Sequence, residues 1–163
     1  MATSSRLGGS VALLTDLYQL TMAHGFWKAG TTDKEAVSNF FFRENPFQGG
    51  FTVLCGLHPL IEFLDDFHFD DSDIQYLAGL RGNDHQPLFA REFLEHLRSL
   101  KFACDIDAIP EGTVVFPHEP LVRVQGPIVQ CQLLESFLLN VMNFQTLIEI
   151  GRASCRERVY VLV

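Results

Sequence analysis

Leu121-Val122-Arg123-Val124-Gln125-Gly126-Pro127 marks the point where this 163-residue chain changes from strand to helix. That change sets the fold class. Residues 121–124 alternate as a short strand does. Pro127 suits the first turn of a helix, where its missing N–H costs nothing. The helix that follows runs through Leu133, Leu134, Phe137, Leu138, Val141 and Met142 to Ile148. It is apolar around most of its circumference, so it should lie at the centre of a bundle or at a subunit interface. Upstream, residues 104–109 and 113–116 read as two more short strands divided by Pro and Gly turns. With residues 121–124 they predict a small antiparallel unit. The class is α+β: helices with short strands.

Working back towards the amino terminus, Leu13-Leu14-Thr15-Asp16-Leu17-Tyr18-Gln19-Leu20-Thr21-Met22 opens a helix over residues 15–29. Thr15 is the expected cap, Asp16 places an acid at the positive end of the dipole, and Gly30 suits a left-handed stop. Leu13, Leu17, Leu20, His24 and Trp27 form one apolar stripe at helical spacing. Tyr18 lies off it, on a side shared with Met22 and Gly25. On spacing alone Tyr18 is a packed core residue; a subunit contact or a flat aromatic ligand would also suit its phenol. Residues 36–43 read as a strand covered on both faces, with Phe40 and Phe42 on one side and Phe41 on the other. A turn at 44–50 leads to a second short strand at 51–55. Gly56 then starts a helix with Leu57, Leu60, Ile61 and Leu64 on one side. Asp70-Asp71-Ser72-Asp73 is an acidic cap for a further helix, and residues 88–100 are amphipathic with Phe89, Phe93, Leu94 and Leu97 inward. Residues 1–10 read as a mobile polar lead.

Hydrophobic residues make up 47% of the chain and fifteen are phenylalanine; mean hydropathy is +0.13. Such a chain hides apolar surface in a partner or belongs to something larger. Charged residues reach 20%, which argues against disorder. A net charge of −8 argues against nonspecific nucleic-acid binding. It leaves room for a small anionic substrate held by local arginines. Cys55, Cys104, Cys131 and Cys155 show no C-x-x-C spacing and read as reduced thiols. No signal-peptide pattern and no apolar run of membrane-spanning length appears, so a cytoplasmic protein without a membrane partner is expected.

Three groups of residues carry a resemblance. The first is residues 15–22 followed by Phe40-Phe41-Phe42-Arg43-Glu44-Asn45-Pro46-Phe47 and then Gly56-Leu57. The second is Ile109-Pro110-Glu111-Gly112 with Pro117 and Pro120-Leu121-Val122-Arg123-Val124-Gln125-Gly126-Pro127. The third is Gln132-Leu133-Leu134-Glu135. In this order, over residues 13–148, they resemble the amino-terminal part of nicotinate phosphoribosyltransferase. The resemblance implies a truncated type II phosphoribosyltransferase lacking its α/β barrel. It also implies a reaction: nicotinate displaces pyrophosphate from phosphoribosyl pyrophosphate, giving nicotinate mononucleotide for NAD biosynthesis, with ATP hydrolysed and Mg2+ carrying the pyrophosphate. Tyr18 matches the family tyrosine that stacks on the pyridine ring. Arg43 matches an arginine near the substrate phosphates. Both are implied to serve the partner's active site in a homodimer. The binding groups for ATP and Mg2+ are expected outside this chain, as are the catalytic residues.

Residues 149–163 do not fit the pattern and are expected to be a tail of unrelated origin. Gly151 to Val163 hold three of the twelve basic residues; the rest of the chain keeps nine basic and nineteen acidic, a net −10. Domain organisation is therefore an incomplete family region over 1–148 and a tail over 149–163. The alternatives are a non-catalytic fragment or interaction module, and a nicotinamide or quinolinate phosphoribosyltransferase relative.

The remaining polar residues favour structural roles. His24 lies on the apolar stripe and reads as a core histidine. The other histidines lack zinc spacing, and the Asp70–Asp73 run lacks the glycine and distal glutamate of a calcium loop. For Arg43 the plain alternative is a surface charge at an edge strand. Asn45 and Pro46 shape a turn. Glu135, inside an apolar helix, is expected to pair with an arginine such as Arg123, because an unpaired buried carboxylate is costly.

Overall fold

The computed structural model describes residues 10–160, with side chains described through Gly151. Residues 1–9 of the lead expected at 1–10 lie outside the described residues, as do the side chains of the expected tail from Arg152 onward. The first helix, α1 (Leu17–Lys28), is capped by Asp16 rather than Thr15. The Gln19 side chain reaches back to the Asp16 N–H at 3.0 Å, one half of a capping box. The Thr15 hydroxyl donates to that same Gln19 oxygen at 2.7 Å. The helix stops as expected at Gly30, whose φ is +68°. Its buried face is Gln19, Leu20, Ala23 and His24. Leu17, placed inward by the stripe, is 51% exposed. The polar Gln19 takes the inward place because the buried Ser136 hydroxyl offers it a hydrogen bond.

Three strands form an antiparallel sheet in the order β1 (Glu35–Phe40), β5 (Val122–Pro127), β3 (Asp105–Ala108). Phe40 stands opposite Val122 and Ser38 opposite Val124, so these share the inner face. The expectation that β1 is covered on both faces is corrected. Val37, Asn39 and Glu35 point outward with Gln125, Arg123 and Asp107, where Arg123 pairs with Asp107 at 3.0 Å. An antiparallel sheet with one helical cover leaves its other face to water. The anticipated Arg123–Glu135 pair therefore does not form: Arg123 is on the outer face and Glu135 is exposed on the helix covering the inner one.

The antiparallel unit is split. Residues 114–115 do not join the three-stranded sheet but form β4 (Val114–Val115), paired with β2 (Thr52–Val53). The turn at Pro110-Glu111-Gly112 causes this. Gly112, at φ +81°, donates to Leu54 O at 2.9 Å, and Leu54 N donates to Thr113 O at 3.0 Å. Helix α2 (Leu57–Asp65) follows Gly56, which sits at φ +112° with the backbone of Met142 so near that an added Cβ would lie 3.2 Å from its Cα. Only glycine fits both demands. On α2, Phe63 is buried and the expected inward Ile61 is 55% exposed. Helix α3 (Asp71–Gly79) is capped by Asp70, whose carboxylate accepts from Asp73 N at 2.9 Å. That cap is the use of the acidic run. Helix α4 (Arg91–Ser99) buries Phe93, Leu94 and Leu97, as its periodicity predicts.

The last helix, α5 (Ile128–Tyr160), packs against α1, α2, β1, β2 and β5. Val129, Leu133, Leu134, Phe137, Leu138 and Met142 are its buried side. Phe137 stacks on Phe63 with ring centroids 3.6 Å apart. The expected central helix is thus found. Leu139, Phe144, Leu147 and Ile148 on it remain exposed. No barrel closes among the described residues, and none of their helices is long and apolar enough to cross a membrane.

Candidate functional site

Sheet order leaves β1 with a free edge. Between that edge and α5 opens a cleft of about 700 Å³. Ser38, Asn39 and Arg43 come from the strand side, Gln132, Glu135 and Leu139 from α5, and Phe26 from the end of α1. The cleft therefore combines apolar walls with a few convergent polar groups, the usual make-up of a small-molecule site. Arg43 follows β1 at the start of the turn that the Pro46–Gln48 helical turn completes. Asn45 fixes that turn by accepting from Thr52 Oγ1 at 3.1 Å. The Arg43 side chain is exposed and makes no ion pair among the described residues.

Tyr18 is 49% exposed, so the packed-core reading of it is set aside. Its ring is free but its hydroxyl is not. Tyr18 Oη donates to Glu135 Oε1 at 3.2 Å and receives Gln19 Nε2 at 3.1 Å. The orientation of the Gln19 amide follows from its surroundings. The Asp16 backbone N–H can only donate, so the Gln19 atom facing it is the oxygen. The nitrogen then faces Tyr18, and the phenol proton goes to Glu135. Gln19 is fully buried; Ser136, buried on α5, bonds its oxygen at 2.5 Å and Asp16 Oδ2 at 2.7 Å. Partial burial of the phenol raises its pKa, and the charge and hydrogen bond of Glu135 add to the rise.

Of the two sequence-expected residues, Arg43 lines the cleft and Tyr18 does not. Tyr18 is linked to that cleft by its hydrogen bond to Glu135, which lines it. Sequence reasoning missed Gln19 and Ser136 as partners of this site. Their signal was present: each is a polar residue at an inward position of an otherwise apolar helix.

Other candidates resolve into structure. His24 is buried between Trp27, Phe89 and Phe93, and its Nε2 accepts the Ala90 N–H at 3.4 Å. Burial lowers its pKa, with Lys28 adding to the effect. Burial also pushes the Cys104 thiol up to about 12 and raises Cys131, so neither is a ready nucleophile. Glu111 closes the amino end of α2, accepting from Gly56 N at 2.5 Å and Leu57 N at 2.9 Å. The motif at 109–112 is therefore a helix cap and strand-pairing turn. Among the described residues no three His, Cys, Asp or Glu side chains come together as a metal cage.

Comparison with known proteins agrees with this architecture. The family model for the nicotinate phosphoribosyltransferase (NAPRTase) N-terminal domain matches residues 13–143. Nicotinate phosphoribosyltransferase of Caenorhabditis elegans is 42% identical over 146 residues, covering 89% of this chain and 25% of that protein. The Bacillus subtilis (strain 168) protein is 43% identical over 139 residues, 85% of this chain and 27% of its own length. The crystal structure of human nicotinic acid phosphoribosyltransferase superposes with a TM-score of 0.72 at 41% identity, covering 82% of this chain and 26% of that one. The chain spans about a quarter of the length of the curated relatives it matches. It belongs to the nicotinate phosphoribosyltransferase family and corresponds to the family's N-terminal domain.

Proposed function

We propose that this chain supplies the pyridine-facing and phosphate-facing wall of an enzyme that joins nicotinate to phosphoribosyl pyrophosphate in NAD biosynthesis. One observation supports the reading: Arg43 lines the cleft, and Tyr18 is hydrogen-bonded to Glu135, which also lines it. A half-open phenol ring tethered at its hydroxyl offers a face on which a flat pyridine can stack. A guanidinium with no ion pair among the described residues can take phosphate oxygens in a bidentate way. Nicotinate then attacks C1 of the ribose, and pyrophosphate departs with its charge neutralised by cationic groups.

ATP and magnesium belong to this reading, but the side chains described here offer no cage for the metal. We assign their binding to the three quarters of the relatives' length that this chain does not span. The chain alone is then inactive, because positioning and charge stabilisation need groups converging from several elements. Leu14 ahead of α1, Leu17 and Met22 on it, and Leu139 and Phe144 on α5 are exposed apolar groups that support a covering surface such as a dimer partner. The same face supports the second reading, an interaction module without catalysis. Thiols at Cys104 and Cys131 suit the reducing cytoplasm.

Grafting residues 1–148 in place of the matching quarter of a family enzyme tests the proposal. The graft should form nicotinate mononucleotide, and Tyr18→Ala in it should raise KM for nicotinate. An unchanged KM would overturn the role of Tyr18.

A further inference from the structure

Two cysteines meet beside the cleft. Cys104 stands just ahead of β3, and Cys131 lies in the first turn of α5, where it lines the cleft. The sheet brings them together. Asp105 stands opposite Gln125, so the preceding residue, Cys104, falls beside Gly126. A Cβ at Gly126 would lie 2.7 Å from Cys104 Sγ and 2.9 Å from its Cα, so the thiol enters because that position carries no side chain. From the other side Cys131 Sγ lies 3.6 Å from Gly126 O and 3.8 Å from Ala36 O. Burial, then the charge of Cys131 and a hydrogen bond between the two thiols, raise the Cys104 pKa; nearby Asp105 adds to the rise. Gln130, buried on α5 next to Cys131, holds the arrangement. Its Oε1 accepts from Ala103 N at 2.8 Å and Cys104 Sγ at 3.8 Å, and its Nε2 donates to Lys101 O at 3.1 Å. The segment carrying one thiol is thus fastened to the helix carrying the other.

We propose that Cys104 and Cys131 are a disulfide-forming pair, an oxidation site that ties the lead of β3 to the first turn of α5 when a small peroxide is the oxidant. The more exposed thiol, Cys104, is oxidised first. One peroxide oxygen becomes the hydroxyl of its sulfenic acid and the other leaves as water. The Cys131 sulfur then attacks the sulfenic sulfur, the S–S bond forms, and the hydroxyl departs with the Cys131 thiol proton as a second water. Two thiols and one peroxide give one disulfide and two waters. Thiols held together by the fold react as an intramolecular pair. Burial raises both pKa values and keeps the thiolate scarce, so the pair answers slowly and to excess oxidant. The step also removes the thiol proton that Cys131 offers to Ala36 O, in the strand that walls the cleft. The pairing holds whatever the cleft binds.

The test treats the purified chain with hydrogen peroxide, caps the remaining thiols, digests with trypsin and reads the fragments by mass spectrometry. Trypsin leaves Cys104 in fragment 102–123 and Cys131 in fragment 124–152, and neither fragment holds another cysteine. The two fragments should appear joined, lighter than their sum by two hydrogens, and should separate on reduction. The oxidised chain should run as a monomer on a non-reducing gel. It should melt about 5–10 °C above the reduced chain, because the closed loop restrains the unfolded state. Cys104→Ala and Cys131→Ala should each abolish the link and the shift. If either variant fails to fold, the joined fragments of the parent chain decide alone. In urea the same oxidant should scatter pairing among the four cysteines, since the contact is supplied by the fold. Capped thiols at both positions in the oxidised folded chain would overturn the pair. So would a link from either position to Cys55 or Cys155, a sulfinic acid at Cys104 beside an intact Cys131 thiol, or an equal yield of the joined fragments in urea.

Discussion

The two ends of α1 carry aromatic residues on one short helix and treat them oppositely. At the carboxyl end His24 and Trp27 pack against Phe89 and Phe93, with His24–Phe93 centroids 4.8 Å apart. That end is closed: Phe93 is fully buried and His24 is 7% exposed. At the amino end Tyr18 leaves half its surface open. Helical spacing does not distinguish the two. What does is the neighbour each end meets. The segment leading into α4 covers His24 with a backbone N–H and the Phe89 ring, and α4 itself adds Phe93. The amino end meets polar side chains of α5 that bind a hydroxyl and leave a ring face bare. One short helix thus carries aromatic core at one end and a half-exposed aromatic ring at the other.

The largest effect that could break this contrast is on stability. Phe93→Ala should cost about 3–5 kcal/mol, because a filled core site is emptied. Tyr18→Ala should cost about 1 kcal/mol, mainly the hydrogen bonds at its tip. Urea unfolding of both variants measures the difference. Equal losses would mean that the open end is core after all.

Between these lies Ser136→Ala. Its hydroxyl joins α5 to Asp16 and Gln19, and its removal strips a buried partner from an amide with no access to water. A loss of about 1–3 kcal/mol is expected. Ser136→Thr, which keeps the hydroxyl, should lose less in the same unfolding measurement.

Acid probes the closed end. Burial lowers the His24 pKa, so the folded state favours the neutral imidazole. The unfolded chain takes up the proton first, near pH 6.5. The stability His24 contributes is complete above that point and is lost as pH falls towards its folded pKa. Melting temperature should therefore decline from pH 7 to pH 5, and His24→Phe should flatten the decline. An unchanged slope in that variant would show the imidazole to be solvated.

Much of this could be read from residues and some could not, for reasons visible at particular positions. Helix α4 and the central α5 follow from periodicity because their burial is decided by apolar side chains alone. The caps at Asp70 and Gly30 follow because the backbone needs there are local. The stripe places Leu17 inward, but Gln19 is buried instead because a hydrogen-bond network outweighs hydropathy, and its partner Ser136 lies 117 residues away in sequence. The split of the strands was hidden for the same reason: Val114 pairs with Val53, and nothing local to residues 113–116 names that partner. At the site, Tyr18 and Arg43 were found through resemblance. Glu135 was noticed as a polar residue in an apolar helix but given the wrong partner, since the face occupied by Arg123 depends on which side of the sheet α5 covers.

Arg43 offers the smallest effect on the fold and the sharpest contrast with the closed end. Its side chain is exposed and has no ion pair among the described residues, so Arg43→Ala should change stability by no more than about 0.5 kcal/mol. A residue retained for structure would cost more. In the grafted family enzyme the same change should weaken phosphoribosyl pyrophosphate binding. The loss should shrink as salt rises, because screening erodes the charge interaction in the parent as well. Arg43→Lys should recover only part of the affinity: an ammonium keeps the charge but cannot bridge two phosphate oxygens as the guanidinium fork does. Binding isotherms at low and high salt for the parent and both variants separate the outcomes. Full recovery by lysine would reduce Arg43 to a point charge. An affinity untouched by either substitution would leave Arg43 as an edge-strand surface residue, and the cleft would then need another cation to face phosphate.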